Sequence, residues 1–148
     1  MVWMITVHKE WVKSFLEGEK DIELRTRIPK ELQPGDDILV AQAGSGNKVV
    51  LHLMVWRIHK LSPAEMFRKY WKGIQVKDYL AYKDYTKGHE VVYGIQTCFA
   101  VPVKGDLHTS DFGIDKAPQW FRQVKETKKV LDYLRDKTRE STLLGTLG

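Results

Sequence analysis

Long strand patterns joined by short connections constrain the fold of this chain more than any other feature. Two apolar, β-branched stretches at residues 49–58 and 91–103 are typical of long strands, and shorter strand patterns occur at 1–7 and 38–40. The connections in the middle of the chain are too short for the crossovers that parallel strands need. The order of strands and helices therefore predicts an α+β fold, a small mixed β-barrel flanked by helices.

Helical patterns surround these strands. Trp11, Val12, Phe15 and Leu16 share one side of a first helix, and Gly18 stands where a C-cap glycine would end it. This amphipathic pattern predicts that the first helix packs its apolar side against the strands.

The remaining helices are predicted from start signals and from apolar spacing. Ser62 and Pro63 are typical of an N-cap followed by the first helical position, and two short helices are expected at 65–71 and 76–82. Near the C-terminus, apolar spacings of four and three residues predict a continuous helix that begins near Pro118. The residues of that stripe are Trp120, Val124, Thr127, Leu131 and Leu134.

A charged stretch, GEKDIELR, separates the first helix from the next strand pattern at 21–27. Alternation along this strand places Glu23, Arg25 and Arg27 on one face, with Lys20 just before it. One interpretation is a solvated face whose charges cancel. The other is a polar cleft, in which cations hold a carboxylate and grip an anion or a carbonyl. Periodicity leaves both interpretations open.

Length and composition limit the class of protein. The 148 residues, 43% hydrophobic and 29% charged, suit one folded domain, predicted at 1–140, with a flexible tail at 141–148. No apolar run approaches the roughly 20 residues of a membrane span. The first residues lack a signal-peptide pattern, and the single Cys98 excludes an internal disulfide. We therefore predict a cytoplasmic protein without a membrane partner.

The charged stretch matches a known signature. Gly18, Lys20, Glu23 and Arg25 have the spacing of the GxKxxExR motif, so the chain resembles the ASCH domain family, a branch of the PUA-like superfamily. The aromatic-containing helix before the motif resembles the family, as do a Pro-Gly-Asp turn and a Tyr-x-x-Gly landmark at 85–88. The resemblance implies a small PUA-like mixed β-barrel flanked by helices, with the motif residues lining a cleft.

The resemblance also implies binding of RNA or a nucleotide-like ligand. In this hypothesis Lys20 and Arg25 contact phosphate or base carbonyls. Glu23 accepts a hydrogen bond from a base amine or fixes Arg25 through a salt bridge. Arg27 extends the same face, and His8 lies near the cleft, where it could polarise a ligand carbonyl or simply begin the first helix.

A basic, aromatic segment at 57–88 is the second candidate site. It contains eight cationic residues and three acidic ones, a surplus equal to the net charge of +5 of the whole chain. Cations beside aromatic rings are typical of single-stranded nucleic-acid binding. The candidate contacts are Arg68, Lys69, Lys72 and Tyr85. The alternative is that the aromatic residues anchor the helices to the barrel.

The rival hypothesis is an enzyme. Some small bacterial members of the family are amidohydrolases acting on N4-acetylcytidine, and others have been described as ribonucleases. The amidohydrolases use a Lys, a Thr and a downstream Glu. Lys20 matches the Lys, Glu23 replaces the Thr, and the acidic position falls at Lys72, with Glu65 and Asp78 as gapped alternatives. As an enzyme the chain would use Lys20 as base or electrophile and Glu23 as general acid/base.

The sequence offers little support for a metal or cofactor site. The five histidines are scattered, with no i,i+4 pair on a helix, so we expect no metal and no cofactor. The partner is therefore expected to be RNA or a nucleotide-like ligand bound by a monomer. A protein-interaction adaptor is a third interpretation.

Overall fold

A curled, six-stranded mixed sheet organises residues 1–135, the part of the chain that this computed structural model describes. The sheet order is β2-β5-β4-β3-β1-β6; β1 and β3 are parallel, and all other neighbours are antiparallel. The strands are β1 (Val2–Val7), β2 (Ile22–Arg25), β3 (Asp37–Gln42), β4 (Val49–Leu61), β5 (Val92–Pro102) and β6 (Arg122–Val124). The predicted α+β class is confirmed, and the barrel takes the form of a curled half-barrel.

Four α-helices and one 3-10 turn accompany the sheet in the described residues. Helix α1 lies in the long connection that makes the parallel pairing of β1 and β3 possible. The other helices follow β4 and β6. Their bounds are α1 (Lys9–Leu16), α2 (Pro63–Ile74), α3 (Tyr79–Thr86) and α4 (Lys128–Leu134), with the 3-10 turn at Thr109–Phe112. None of the helices in this part of the chain is long and apolar enough to cross a membrane.

Both faces of the sheet are buried. Along β1, alternate residues enter two different clusters, because side chains of a strand point to opposite faces. Trp3, Ile5 and Val7 pack with α1, whereas Val2 and Met4 pack with α4 and the segment after the 3-10 turn. A third, smaller cluster lies between α2 and the strands β2 and β5, and consists of Ile22, Met66, Ile74 and Val92.

The long strand β4 is bent by bulges. Its pairing with β5 shifts register between Met54 and Val55 and again between Val55 and Arg57. Bulges increase local twist and bend a strand, which allows a thirteen-residue strand to follow the curl of the sheet.

Several local predictions are confirmed. Gly18 follows α1 with φ +77°, the left-handed conformation expected of a C-terminal glycine. Ser62 is the N-cap of α2, and its hydroxyl accepts a hydrogen bond from the Glu65 backbone N–H at 3.2 Å. Helix α3 begins later than expected, at Tyr79, because the Asp78 side chain caps its first turn.

The predicted continuous helix from Pro118 is wrong. Residues Arg122–Val124 form β6, which pairs antiparallel with the edge of β1, and the helix begins only at Lys128. Apolar spacings of four and three residues do not distinguish one long helix from a strand followed by a helix. Val124 is buried in the strand, as it would be on the apolar side of a helix. Pairing satisfies backbone groups of β1 that would otherwise be exposed. The predicted tail at 141–148 lies outside the described residues.

The helix boundary can be tested at Thr127, whose hydroxyl accepts a hydrogen bond from the Val130 N–H at 3.3 Å. We expect Thr127→Ala to lower the free energy of unfolding by about 1 kcal/mol, since it removes an N-cap. Thr127→Asn, which keeps a capping group, should cost much less. Urea denaturation measures both variants. Stabilisation by alanine would instead indicate that Thr127 lies inside a helix, where alanine is preferred.

Candidate functional site

The segment between α1 and β2 is held against the C-terminal turn of α2. The Asp21 backbone N–H donates to the Gly73 carbonyl at 3.1 Å, and Lys20 Nζ donates to the Ile74 carbonyl at 2.8 Å. The last carbonyls of a helix have no partner within the helix, and they favour nearby cations. The segment therefore caps α2, and α2 in turn fixes the position of Lys20.

Two further residues make this contact close. Gly73 has no side chain, and a Cβ there would collide with the Asp21 carboxylate and approach Ile22 to 3.1 Å. Gln75 ends α2 in the left-handed conformation, with φ 65°. Its side-chain amide donates to the Glu19 carbonyl at 2.9 Å, which adds a third hydrogen bond between the two segments.

Lys20 is buried, with 5% of its surface exposed. Burial lowers the pKa of Lys20, since desolvation disfavours the charged ammonium, and the Glu23 carboxylate opposes that shift. The ammonium lies 5.2 Å from the ring centroid of Trp11 and 5.4 Å from that of Phe15, within cation–π range. Within residues 1–135 its hydrogen-bond acceptor is the Ile74 carbonyl, which leaves two N–H groups for a ligand.

Glu23 lies between two cations. Its Oε2 accepts hydrogen bonds from Arg25 Nε at 3.0 Å and Nη2 at 2.9 Å, and its Oε1 is 4.0 Å from Lys20 Nζ. Arg25 is itself held by packing over the Phe121 ring and by the Thr6 carbonyl at 3.4 Å. The charged stretch therefore forms a polar cluster with a fixed geometry, and Glu23 Oε1 accepts no hydrogen bond from the described residues.

These groups line a cleft with a volume of ≈ 580 Å³, within the range typical of small-molecule sites. Aromatic side chains form much of its walls: Trp11 from α1, and Tyr82 and Tyr85 from α3. The Tyr85 hydroxyl donates to the Leu24 carbonyl at 3.4 Å, and burial raises the pKa of Tyr85. The Tyr82 hydroxyl donates to the Pro63 carbonyl at 2.6 Å.

The charges that line the cleft balance. Three cationic side chains face three carboxylates, with His8 in addition. This balance suits the recognition of a ligand that carries hydrogen-bond donors as well as acceptors, more than the binding of a bare polyanion. The cations are Lys20, Arg25 and Lys77, and the carboxylates are those of Glu10, Glu23 and Asp78.

The structure brings together five of the predicted site residues. Lys20, Glu23, Arg25, His8 and Tyr85 all line the cleft, although their roles in binding stay predictions. His8 occupies the N-cap position of α1 but makes no side-chain capping bond.

Arg27 and the helix residues lie elsewhere. Strand β2 ends at Arg25, so Arg27 does not continue its face and lines a second groove. Arg68 and Lys69 pair with Glu65 on the surface of α2, at 2.8 and 3.8 Å, and Lys72 Nζ lies 5.5 Å from the Trp71 ring. These three cations stand outside the cleft.

Sequence reasoning did not identify Trp11 and Lys77 as cleft residues. The spacing of Trp11 indicates only the apolar side of α1, and Lys77 belongs to no motif. Lys77 Nζ lies 6.0 Å from the Trp11 ring centroid, a contact between residues far apart in the sequence. Of the three positions considered for a downstream catalytic acid, only Asp78 reaches the cleft, and its Oδ1 caps α3. No group of His, Cys, Asp and Glu in the described part is arranged to hold a metal ion.

The curled half-barrel and its cleft define an α+β domain with a PUA-like fold. The ASCH domain model matches residues 5–99, well over half of the sequence and all of the cleft residues named above. The chain belongs to the ASCH domain family.

Solved structures show the same fold. An ASCH protein from Zymomonas mobilis aligns with a TM-score of 0.77 and 18% identity, covering 90% of this chain and 92% of that one. A substitution variant of that protein gives 0.76 and 18%, with 90% and 95% covered. A hypothetical protein aligns at 0.51 and 21%, with 70% and 100% covered. No curated protein sequence shows significant similarity to the chain.

The buried environment of Lys20 predicts an unusual titration. Because burial lowers the pKa of Lys20 below its ordinary value of 10.5, the folded protein binds fewer protons than the unfolded chain between the two pKa values. The Lys20 contribution to the free energy of unfolding therefore rises with pH in that window. In a 13Cε-lysine NMR titration, the signal absent from Lys20→Arg should titrate below 10.5. Titration at or above 10.5 would contradict the burial.

Proposed function

We propose that this ASCH domain binds single-stranded RNA, or a nucleotide-like ligand, with a base in the cleft. The observation that carries the proposal is the pair formed by Lys20 and Glu23. Lys20 Nζ has N–H groups to donate, and Glu23 Oε1, 4.0 Å away, has an acceptor to offer. Cytosine, guanine and adenine present hydrogen-bond donors and acceptors side by side on their edges, so such a pair complements a base edge.

The cleft supplies stacking surfaces for the base. Trp11 and Tyr85 stand on different helices beside the charged pair, and base–aromatic stacking contributes about 1–3 kcal/mol per base. A volume of ≈ 580 Å³ accommodates a nucleotide. Trp11 already contacts the Lys20 ammonium, so the stacking surface and the hydrogen-bonding groups are held in one geometry.

Arg25 has a positioning role and a contact role. Two of its N–H groups hold Glu23 Oε2, which orients the free Oε1 toward the side of Lys20. Within residues 1–135, its Nη1 makes no hydrogen bond, so that nitrogen can donate to a base carbonyl or a phosphate. His8, exposed at the edge of the cleft, offers a further polar contact.

The basic surface of α2 supplies affinity for the phosphate backbone. Arg68 and Lys69 share Glu65, but exposed ion pairs of this kind are weak and exchange readily for phosphate. Lys72 lies beside the exposed Trp71. The base therefore interacts with a charge-balanced cleft, while the chain of phosphates follows the cationic surface of α2.

Salt titrations with single-stranded RNA separate these two contributions. The logarithm of the binding constant should fall linearly with the logarithm of the salt concentration, with a slope of about −0.7 per contacted phosphate. Replacing Arg68, Lys69 and Lys72 together by Gln should flatten that slope. Glu23→Gln should weaken binding about tenfold or more without changing the slope, because it alters a hydrogen bond to the base. Fluorescence anisotropy measures both quantities.

Lys48→Gln is the matched control, because Lys48 is exposed and borders neither the cleft nor the second groove. It should leave affinity and slope nearly unchanged. Absence of RNA binding at low salt would overturn the proposal. Equal losses in Lys48→Gln and Glu23→Gln would show that binding is nonspecific.

The second candidate is a hydrolase acting on RNA or a modified nucleoside. A specific observation favours it: Lys20 has a lowered pKa and its ammonium lies 4.0 Å from the Glu23 carboxylate. Such a pair can exchange a proton with a reacting group. In this alternative Lys20 acts as base or electrophile and Glu23 as general acid/base.

Turnover distinguishes the enzyme from the binding module. The wild-type protein and Lys20→Ala are incubated with RNA and with acetylated nucleosides, and products are followed by chromatography. Under the binding proposal no product accumulates above the Lys20→Ala control, although RNA binds to the wild type. Product formation that disappears in Lys20→Ala would instead establish the hydrolase.

A further inference from the structure

A second groove, with a volume of ≈ 790 Å³, begins where β2 ends. Glu23, Leu24 and Arg25 line the cleft, and the next two residues, Thr26 and Arg27, line the groove. The two sites are thus consecutive along the same stretch of backbone.

The end of α3 makes the same transition. Tyr85 lines the cleft, while Gly88 and His89, just beyond the helix, line the groove. The Tyr85 hydroxyl donates to the Leu24 carbonyl, so this side chain stands at the border between the two sites. The lining of the cleft therefore continues directly into the lining of the groove, both along the backbone after β2 and at the end of α3.

Trp120 gives the groove a flat aromatic surface in a fixed position. Its indole N–H donates to the Arg27 carbonyl at 3.3 Å, and its ring packs edge-on against Phe121 at 5.7 Å. Trp120 is nevertheless 39% exposed, with the Arg27 guanidinium over its ring at 5.2 Å from the centroid. A tryptophan held by these contacts and still partly exposed loses little conformational entropy when a base stacks on it.

Cations stand on one side of Trp120. Arg27 and Lys30 are exposed on the loop that forms one wall of the groove, whose lining also includes the carboxylates of Glu31 and Glu90. A phosphate that joins a base in the cleft to a base on Trp120 must pass close to this loop. Arg27 can then neutralise the phosphate while its guanidinium remains beside the aromatic ring.

We infer that this groove is a second nucleotide subsite, in which the base next to the one in the cleft stacks on Trp120 beside Arg27. The ligand is then a strand of at least two nucleotides rather than a free nucleoside. This inference rests on the proposed function, since it assigns the neighbour of the base in the cleft.

The test compares mononucleotides with dinucleotides by calorimetry. All ribonucleoside 5′-monophosphates and all ribodinucleotides are titrated into the wild-type protein. The preferred dinucleotide should bind roughly 5- to 150-fold more tightly than the preferred monophosphate, the gain expected from one stacked base. Trp120→Leu should remove that gain and leave monophosphate binding unchanged. Trp120→Phe, which keeps an aromatic face, should retain most of it.

Trp56→Leu is the matched control. Trp56 is also exposed, at 53%, and also lies beside an arginine, with the Arg57 guanidinium 5.7 Å from its ring centroid, but it borders neither site. It should not change either affinity. If Trp120→Leu proves unstable in thermal denaturation, Arg27→Gln replaces it, because Arg27 is exposed, and it should weaken dinucleotide binding alone.

The outcomes distinguish this inference from the function on which it rests. Suppose that monophosphates bind the wild-type protein but not Lys20→Met, and that dinucleotides bind the wild type no more tightly than monophosphates do. This result refutes the second subsite and supports base binding in the cleft. A groove that serves a protein partner gives this same result. Dinucleotide gain that survives both Trp120→Leu and Arg27→Gln also refutes it. Absence of binding by every nucleotide and by RNA refutes both proposals.

Discussion

The capping of α2 by residues 19–21 is the contact on which the rest of the site depends. A helix C-terminus has unpaired carbonyls and a partial negative charge, and a buried ammonium needs a hydrogen-bond acceptor and a compensating charge. The Asp21 backbone N–H pairs with the Gly73 carbonyl, and the Lys20 ammonium pairs with the Ile74 carbonyl, so helix end and ammonium stabilise each other. Since β2 follows directly, the same contact sets where Glu23 and Arg25 emerge and places Ile22 under α2.

Charge is divided between two surfaces of the domain. In the cleft, Glu23 is held by Arg25 and faces Lys20, so these two cations have a carboxylate partner before any ligand arrives. The surplus of positive charge lies on α2, where Arg68, Lys69 and Lys72 stand against the single carboxylate of Glu65. A compensated cleft suits discrimination among neutral hydrogen-bonding groups, whereas an exposed basic surface suits phosphates regardless of sequence. Under the proposed function, selectivity and affinity would therefore come from different surfaces.

The position of β2 at the edge of the sheet makes both sites possible. It pairs with β5 on one side only. On its other side the Leu24 carbonyl receives a hydrogen bond from Tyr85 instead of from another strand. An edge strand covered by a side chain rather than by a neighbouring strand leaves space before and after that side chain, which is where the cleft and the groove lie.

Much of the fold could be predicted from local signals. Strand patterns, the glycine after α1 and the Ser62 cap depend on residues close in the sequence, and the structure confirms them. The prediction failed at 118–127, where apolar spacing is compatible with a buried strand followed by a capped helix. The choice between these depends on whether the edge of β1 needs a partner, a condition set by residues more than a hundred positions away.

By itself, the sequence determined the family, the order of most elements and the position of the polar motif. Only the tertiary structure decided which other side chains share the site with that motif. Lys20 meets Ile74, Trp11 meets Lys77, and Arg27 meets Trp120 through packing between elements that are distant along the chain. No local sequence pattern predicts these contacts, because they depend on how α2, α3 and the segment before β6 pack around β2.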